Sequence, residues 1–189
     1  MQRFSYILDY KTHQLIEERD EYKPYLKDLG SKAEEYARRA NEINPKGPEG
    51  LAWYAGSYSY HAASMGIVTA ILKGAGSKLK DLANALIETD DAYHGAFGYR
   101  ILGRLNLKAP FPVGSKKKAV EYLKKAVEKS PDDLLNRFWL GETYRQQKEY
   151  GKAREQFQFV IDHPPMDIET HVAEFYKIAA KTRLEEITK

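Results

Sequence analysis

Two copies of one pattern, 34 residues apart, constrain this chain more than any other feature of its sequence. Ala119, Leu123, Ala126 and Pro131 recur as Ala153, Phe157, Val160 and Pro165. The same spacing opens the chain as Ala33, Ala37, Ala40 and Pro45. A fixed period of this size marks a stack of similar helical units, because one unit cannot bury its apolar face alone. Within the pattern, small residues suit a close approach of two helices, the larger residue fills the gap, and proline stops the helix.

Spacing and residue types together read as the second helix of a tetratricopeptide repeat (TPR). Leu140-Gly141 followed by Tyr144 matches the first helix, so Leu134–Asp167 holds one whole unit. Leu102-Gly103, with Tyr99 before it, copies the Leu-Gly contact, and Tyr54-Ala55 copies it with Ala for Gly. Gly103 and Gly141 are 38 residues apart, so Ala109–Gly114 carries four residues beyond the period. Its two prolines and glycine predict a turn.

Periodicity supplies the other helices. Tyr22, Tyr25, Leu26, Leu29, Ala33, Tyr36, Ala37, Ala40 and Ile43 fall on one predicted face, with a break at Gly30. Pro24 suits a first helical turn. Leu79, Leu82, Ala83, Leu86 and Ile87 predict a short helix after an exposed linker, Gly74–Ser77. Ile168, Val172, Phe175, Ala179 and Ile187 mark a closing helix. No alternating pattern supports a strand. The predicted fold is an all-α, TPR-like right-handed helical solenoid of about nine helices. It forms one domain over 1–189, with an N-terminal cap at 1–30, repeat helices at 31–167 and a C-terminal capping helix at 168–189.

Such an array curves and lines its concave side with the first helices. One step beyond the core positions of those helices stand Tyr60, Phe97, Arg100, Arg104, Leu135, Phe138, Glu142 and Arg145. Arginines beside aromatic rings suit an extended or anionic partner, since the guanidinium is a planar donor fork that also stacks. Apart from Leu135, these form the candidate partner- or ligand-binding set. Each is also an ordinary amphipathic-helix residue.

Several function classes are disfavoured. The chain has no cysteine, which rules out disulfides, thiolate catalysis and Cys-based zinc sites. Net charge is only +3, and Glu121, Glu128, Asp132 and Asp133 dilute the lysines of 116–129, against nucleic-acid binding. The longest apolar run, Ile67–Leu72, is far short of the ~20 residues that span a bilayer. His13, His61, His94, His163 and His171 lack metal-ligand spacing. Gly74-Ala75-Gly76-Ser77-Lys78 has the wrong spacing for a phosphate loop. Asp90-Asp91 and Asp132-Asp133 read as helix caps. No nucleophile–base pair converges, so the chain reads as a non-catalytic binding protein with no cofactor and no metal.

Asp90–Pro164 resembles the T-component (TatT) family of TRAP transporters. Arg100–Arg104, Ala109–Pro112, Gly114–Ala119 and Leu135–Arg137 carry the likeness, and the segment from Glu49 to Gly74 also suits it. The resemblance implies a periplasmic helper that binds a solute-binding subunit, with a pore or groove for a small ligand. The leading reading is an adaptor holding a peptide or protein on its concave face. The alternative is a carrier of a hydrophobic or anionic organic molecule in a pocket framed by Trp53, Tyr58, Tyr60, Phe97 and Arg100. Self-association is compatible with either. Localisation is left open between the periplasm, if a signal segment was removed, and the cytoplasm, if the chain is complete.

Overall fold

The computed structural model describes residues 20–167, 170 and 172–188. A short 3-10 turn, Asp20–Tyr22, leads into α1 (Lys23–Ile43), α2 (Pro48–Ser64), α3 (Ile67–Leu72) and α4 (Ala75–Thr89). There follow α5 (Tyr93–Lys108), α6 (Lys116–Lys129), α7 (Leu134–Gln146), α8 (Tyr150–Asp162) and α9 (Ala173–Glu186). No strand occurs among the described residues. Ile168 and His171, like the segment through His13, lie outside them.

The repeat pattern has a direct physical meaning in the core. Ala119, Leu123, Ala126, Ala153, Phe157 and Val160 are all fully buried. A Cβ built on Gly103 would lie 2.4 Å from Leu123 Cγ, and one on Gly141 would lie 2.7 Å from Phe157 Cε1. Each glycine therefore lets a first helix close onto the large residue of the second helix that follows it. Fully burying a residue such as Leu123 or Phe157 stabilises the fold by about 1.5–3 kcal/mol. One core cluster runs through α5–α9 around Phe138, Trp139 and Phe157, and a smaller one joins α2, α4 and α5 around Ala55, Ala83 and Leu102. The first helices form an inner row, in which α2 touches α5, α5 touches α7 and α7 touches α9.

Helix ends follow local chemistry. Ser115 accepts from Lys118 N to cap α6, and Asp133 accepts from Asn136 N to cap α7. The proline turn before α6 is present, with α5 ending at Lys108.

Three local expectations are corrected. There is no break at Gly30, and α1 is continuous. A Cβ there would meet His61 N at 2.7 Å, so the missing side chain lets α1 lie against α2. The buried face of α1 is narrower than predicted: Leu26, Gly30 and Ala37 are buried, whereas Tyr36 and Ile43 are exposed. Nor is Gly74–Ser77 a linker. Gly74 alone turns left-handed, at φ 73°, and α4 starts at the buried Ala75. The helical cost of Gly76, about 1 kcal/mol, is offset by the packing of its neighbours Ala75 and Leu79.

Candidate functional site

The inner row gathers the predicted site residues, but it buries several of them in its own seams. Phe97 lies against α2, where a Cβ on Gly56 would stand 3.5 Å from its ring. Tyr60 is one turn further along α2, and both residues are half-buried. Arg104 lies over the Trp139 ring at 4.2 Å from its centroid, and Lys108 Nζ approaches the same ring at 5.6 Å. This links α5 to α7. Leu135 and Arg145 remain half-buried on α7.

Arg100 sits elsewhere than on an open groove. It is only 4% exposed, and its Nη1 donates to Asp133 Oδ2 at 2.9 Å and Asn136 Oδ1 at 2.8 Å. The same group reaches the Gly95 carbonyl at 3.3 Å, and Asn136 Nδ2 donates to that carbonyl at 2.9 Å. The carbonyl is delivered by an unusual start to α5. His94, Gly95 and Ala96 take φ of 50°, 70° and 56°, a left-handed turn ahead of a right-handed helix. For L-residues that conformation costs roughly 1–2 kcal/mol each, so the turn needs external support. Arg100, Asp133 and Asn136 provide it. Gly95 admits no side chain, since a Cβ would lie 1.9 Å from Asp133 Oδ2.

Phe138 and Glu142 also leave the predicted surface. Phe138 has 0% exposure and packs edge-on against Tyr176 of α9 at 5.0 Å between centroids. Glu142 is buried between Arg145 Nε at 2.7 Å and Arg183 Nε at 3.2 Å. Arg145 also reaches Glu186. The physical reason is common to all three corrections. In this array the step beyond the core phase faces the next first helix, so Arg100, Phe138 and Glu142 are joints between units. The charge that the candidate set offers to an anionic partner is correspondingly reduced, with Arg100 balanced by Asp133 and Arg145 by Glu142 and Glu186.

The five residues of the aromatic-pocket reading are divided. Trp53 is 67% exposed, whereas Tyr58 is buried on the α4 side of α2. Tyr58 belongs to a polar cluster with no counterpart among the sequence patterns. Glu34 accepts from Lys78 Nζ at 2.9 Å and meets His61 Nδ1 at 2.6 Å, tying α1 to α2 and α4. Burial acts to raise the Glu34 pKa, but the bonds from His61 and Lys78 outweigh it and hold the carboxyl below its ordinary value. Burial likewise acts to lower Lys78, and the bonds to Tyr54 and Glu34 reverse it, leaving the ammonium raised. The Lys78 ammonium caps the Tyr58 ring at 4.1 Å. This cluster is internally satisfied. Among the described residues no group of three or more His, Cys, Asp or Glu side chains could hold a metal.

A separate cavity of about 390 Å³ opens between α3–α4, α5 and α6, roofed by the proline turn. Ile71, Leu102, Leu105 and Val113 supply its apolar wall, and Lys80 and Lys118 its charge.

Among solved structures the chain is similar to that of MamA, with a TM-score of 0.50 and 17% identity over 84% of this chain and 86% of that one. The fold is TPR-like. At that identity the likeness speaks for the fold alone. No protein-family model matches the chain, and no curated protein matches it. Among the described residues no helix is long and apolar enough to cross a membrane.

Proposed function

We propose that the protein is a non-catalytic adaptor whose inner row of first helices receives a protein or peptide partner. The observation that carries this reading is the half-buried face running from Tyr60 and Phe97 to Arg104, backed by the buried Trp139. There the Arg104 guanidinium is held over the Trp139 indole, 4.2 Å from its centroid, by the packing of α5 on α7. A cation pre-ordered in this way loses little freedom when it meets a carboxylate. Arg100, Phe138 and Glu142 act at one remove, by fixing the angle between units, and Arg145 and Leu135 extend the surface along α7. The resemblance to TatT suggests the partner class, a solute-binding subunit of a transporter.

Site-specific photo-crosslinking in extracts of the native host tests this. A crosslinker at Tyr60 or Arg104 should capture a discrete partner, and Arg104→Ala should weaken its capture. A crosslinker at Lys124, on α6, should not. Equal capture from both faces, or none from the inner row, would remove the reading.

A further inference from the structure

The cavity beside α3 is bounded by α3, α4, α5 and α6, and its construction points to a ligand of its own. Leu102, one of its wall residues, is 2% exposed, so the wall belongs to the folded core. Toward the outside the apolar surface continues without cover: Val113 is 46% exposed and Phe111 91%. Ile67 and Val68, on the helix face of Ile71, are 47% and 67% exposed, and Leu72 is 82% exposed. Of these exposed side chains Val113 lines the cavity itself, and the others lie on α3 and the proline turn, the segments that supply Ile71 and Val113 to its wall.

The α3 segment is only six residues long and has no buried residue. Gly66 at φ 75° and Gly74 at φ 73° bracket it, two left-handed positions that favour glycine. Its packing contacts are with α2 and α4. This short helix between two glycine turns carries Ile71 on the cavity wall. The charges at the same opening have a sign. Lys80 and Lys118 are exposed, and neither has an ion-pair partner among the described residues. Space is left where a side chain would fit. A Cβ on Gly76 would come no nearer than 3.5 Å, to Val113 Cγ1, which is ordinary contact.

We propose that this cavity binds an aliphatic carboxylate, with the chain against Ile71, Leu102, Leu105 and Val113 and the carboxylate between Lys80 and Lys118. Apolar burial supplies the binding drive, and the two ammonium groups select an anionic head. A volume near the small end of the ~300–1,000 Å³ usual for ligand sites calls for a single short chain rather than a two-chain lipid.

Calorimetric titration of the full chain with decanoate, decanol and inorganic phosphate tests the proposal. Decanoate should bind, decanol more weakly, and phosphate not detectably. Lys80→Gln/Lys118→Gln should weaken decanoate binding by on the order of tenfold, the sum expected of two exposed ion pairs. Gly76→Leu should fill the cavity and abolish binding while the thermal melt holds. The lysine variant alters exposed side chains only, so it decides the matter even if Gly76→Leu unfolds early. Absence of decanoate binding would overturn the proposal, as would equal affinity for decanol, tight phosphate binding, or binding indifferent to both variants. Partner capture from Tyr60 is a separate readout, and Gly76→Leu should leave it unchanged.

Discussion

Replacing Arg100 with Met should weaken the fold severely, although the sequence places it on a binding surface. Met keeps the aliphatic stem and removes the guanidinium. Asp133, whose side chain is 1% exposed, would lose its cation and keep one bond, from Asn136 N at 2.7 Å. The Gly95 carbonyl would keep Asn136 Nδ2 and lose Arg100. Breaking a buried pair from one side costs about 3–5 kcal/mol. The surviving cap bond to Asp133 argues for the lower end, ~3 kcal/mol. At roughly 2–4 °C per kcal/mol for a chain of this size, the melting temperature should fall by about 6–12 °C. Adding Asp133→Ser removes the stranded charge but keeps a competent helix cap. The double variant should therefore recover at least ~1 kcal/mol over Arg100→Met alone. Circular dichroism melts and urea titrations of the four proteins give the cycle. A melting temperature for Arg100→Met within about 2 °C of the parent would refute the argument, because Asp133 would then be adequately solvated or paired without Arg100.

Gly141→Leu should overpack the contact with Phe157, whose ring carbon stands 2.7 Å from the place of a Cβ, and cost about 1–3 kcal/mol or more by denaturant titration. Glu34 links stability to pH. Its folded pKa lies below the ordinary carboxylate value, so its contribution is complete above about pH 4.5 and is lost as pH falls through the lower folded value. Glu34→Gln should therefore melt below the parent at pH 6, and the gap should narrow toward pH 3; a gap of constant width would dissociate the carboxylate charge from the effect.

The repeat units were legible in the sequence because their signal is steric and local. Gly103 precedes Leu123, and Gly141 precedes Phe157, in the same order of small and large residues, and the structure places those pairs in contact. The inner row was legible too, as far as which helices form it. The direction of individual side chains was not. Arg100 is assigned by Asp133 and Asn136, which stand 33 and 36 residues later, and no helical period reports such a partner. Leu26, Gly30 and Ala37 fall within about 40° of one another around α1, whereas Tyr36 and Ile43 stand roughly 80–100° from Leu26, beyond the face that packs on α2. Gly76 shows the converse error. Two glycines in three residues read as a loop, but the cost of one helical glycine is offset by the burial of Ala75 and Leu79 together. The Glu34–His61–Lys78 cluster left no sequence trace, since its members sit 27 and 44 residues apart.

The left-handed turn at His94–Ala96 has a bearing on how the array comes apart. Units of a solenoid that touch only through apolar faces can fray one at a time from an end. Here the turn that begins α5 is held by the residues that begin α7. Release of the last units would free Asp133 and Asn136, and the strained turn two helices upstream would lose its support in the same event. Amide hydrogens of α5 and α7 should accordingly exchange as one opening unit, with a shared free energy, and the C-terminal half should lack the graded protection of a simple repeat ladder.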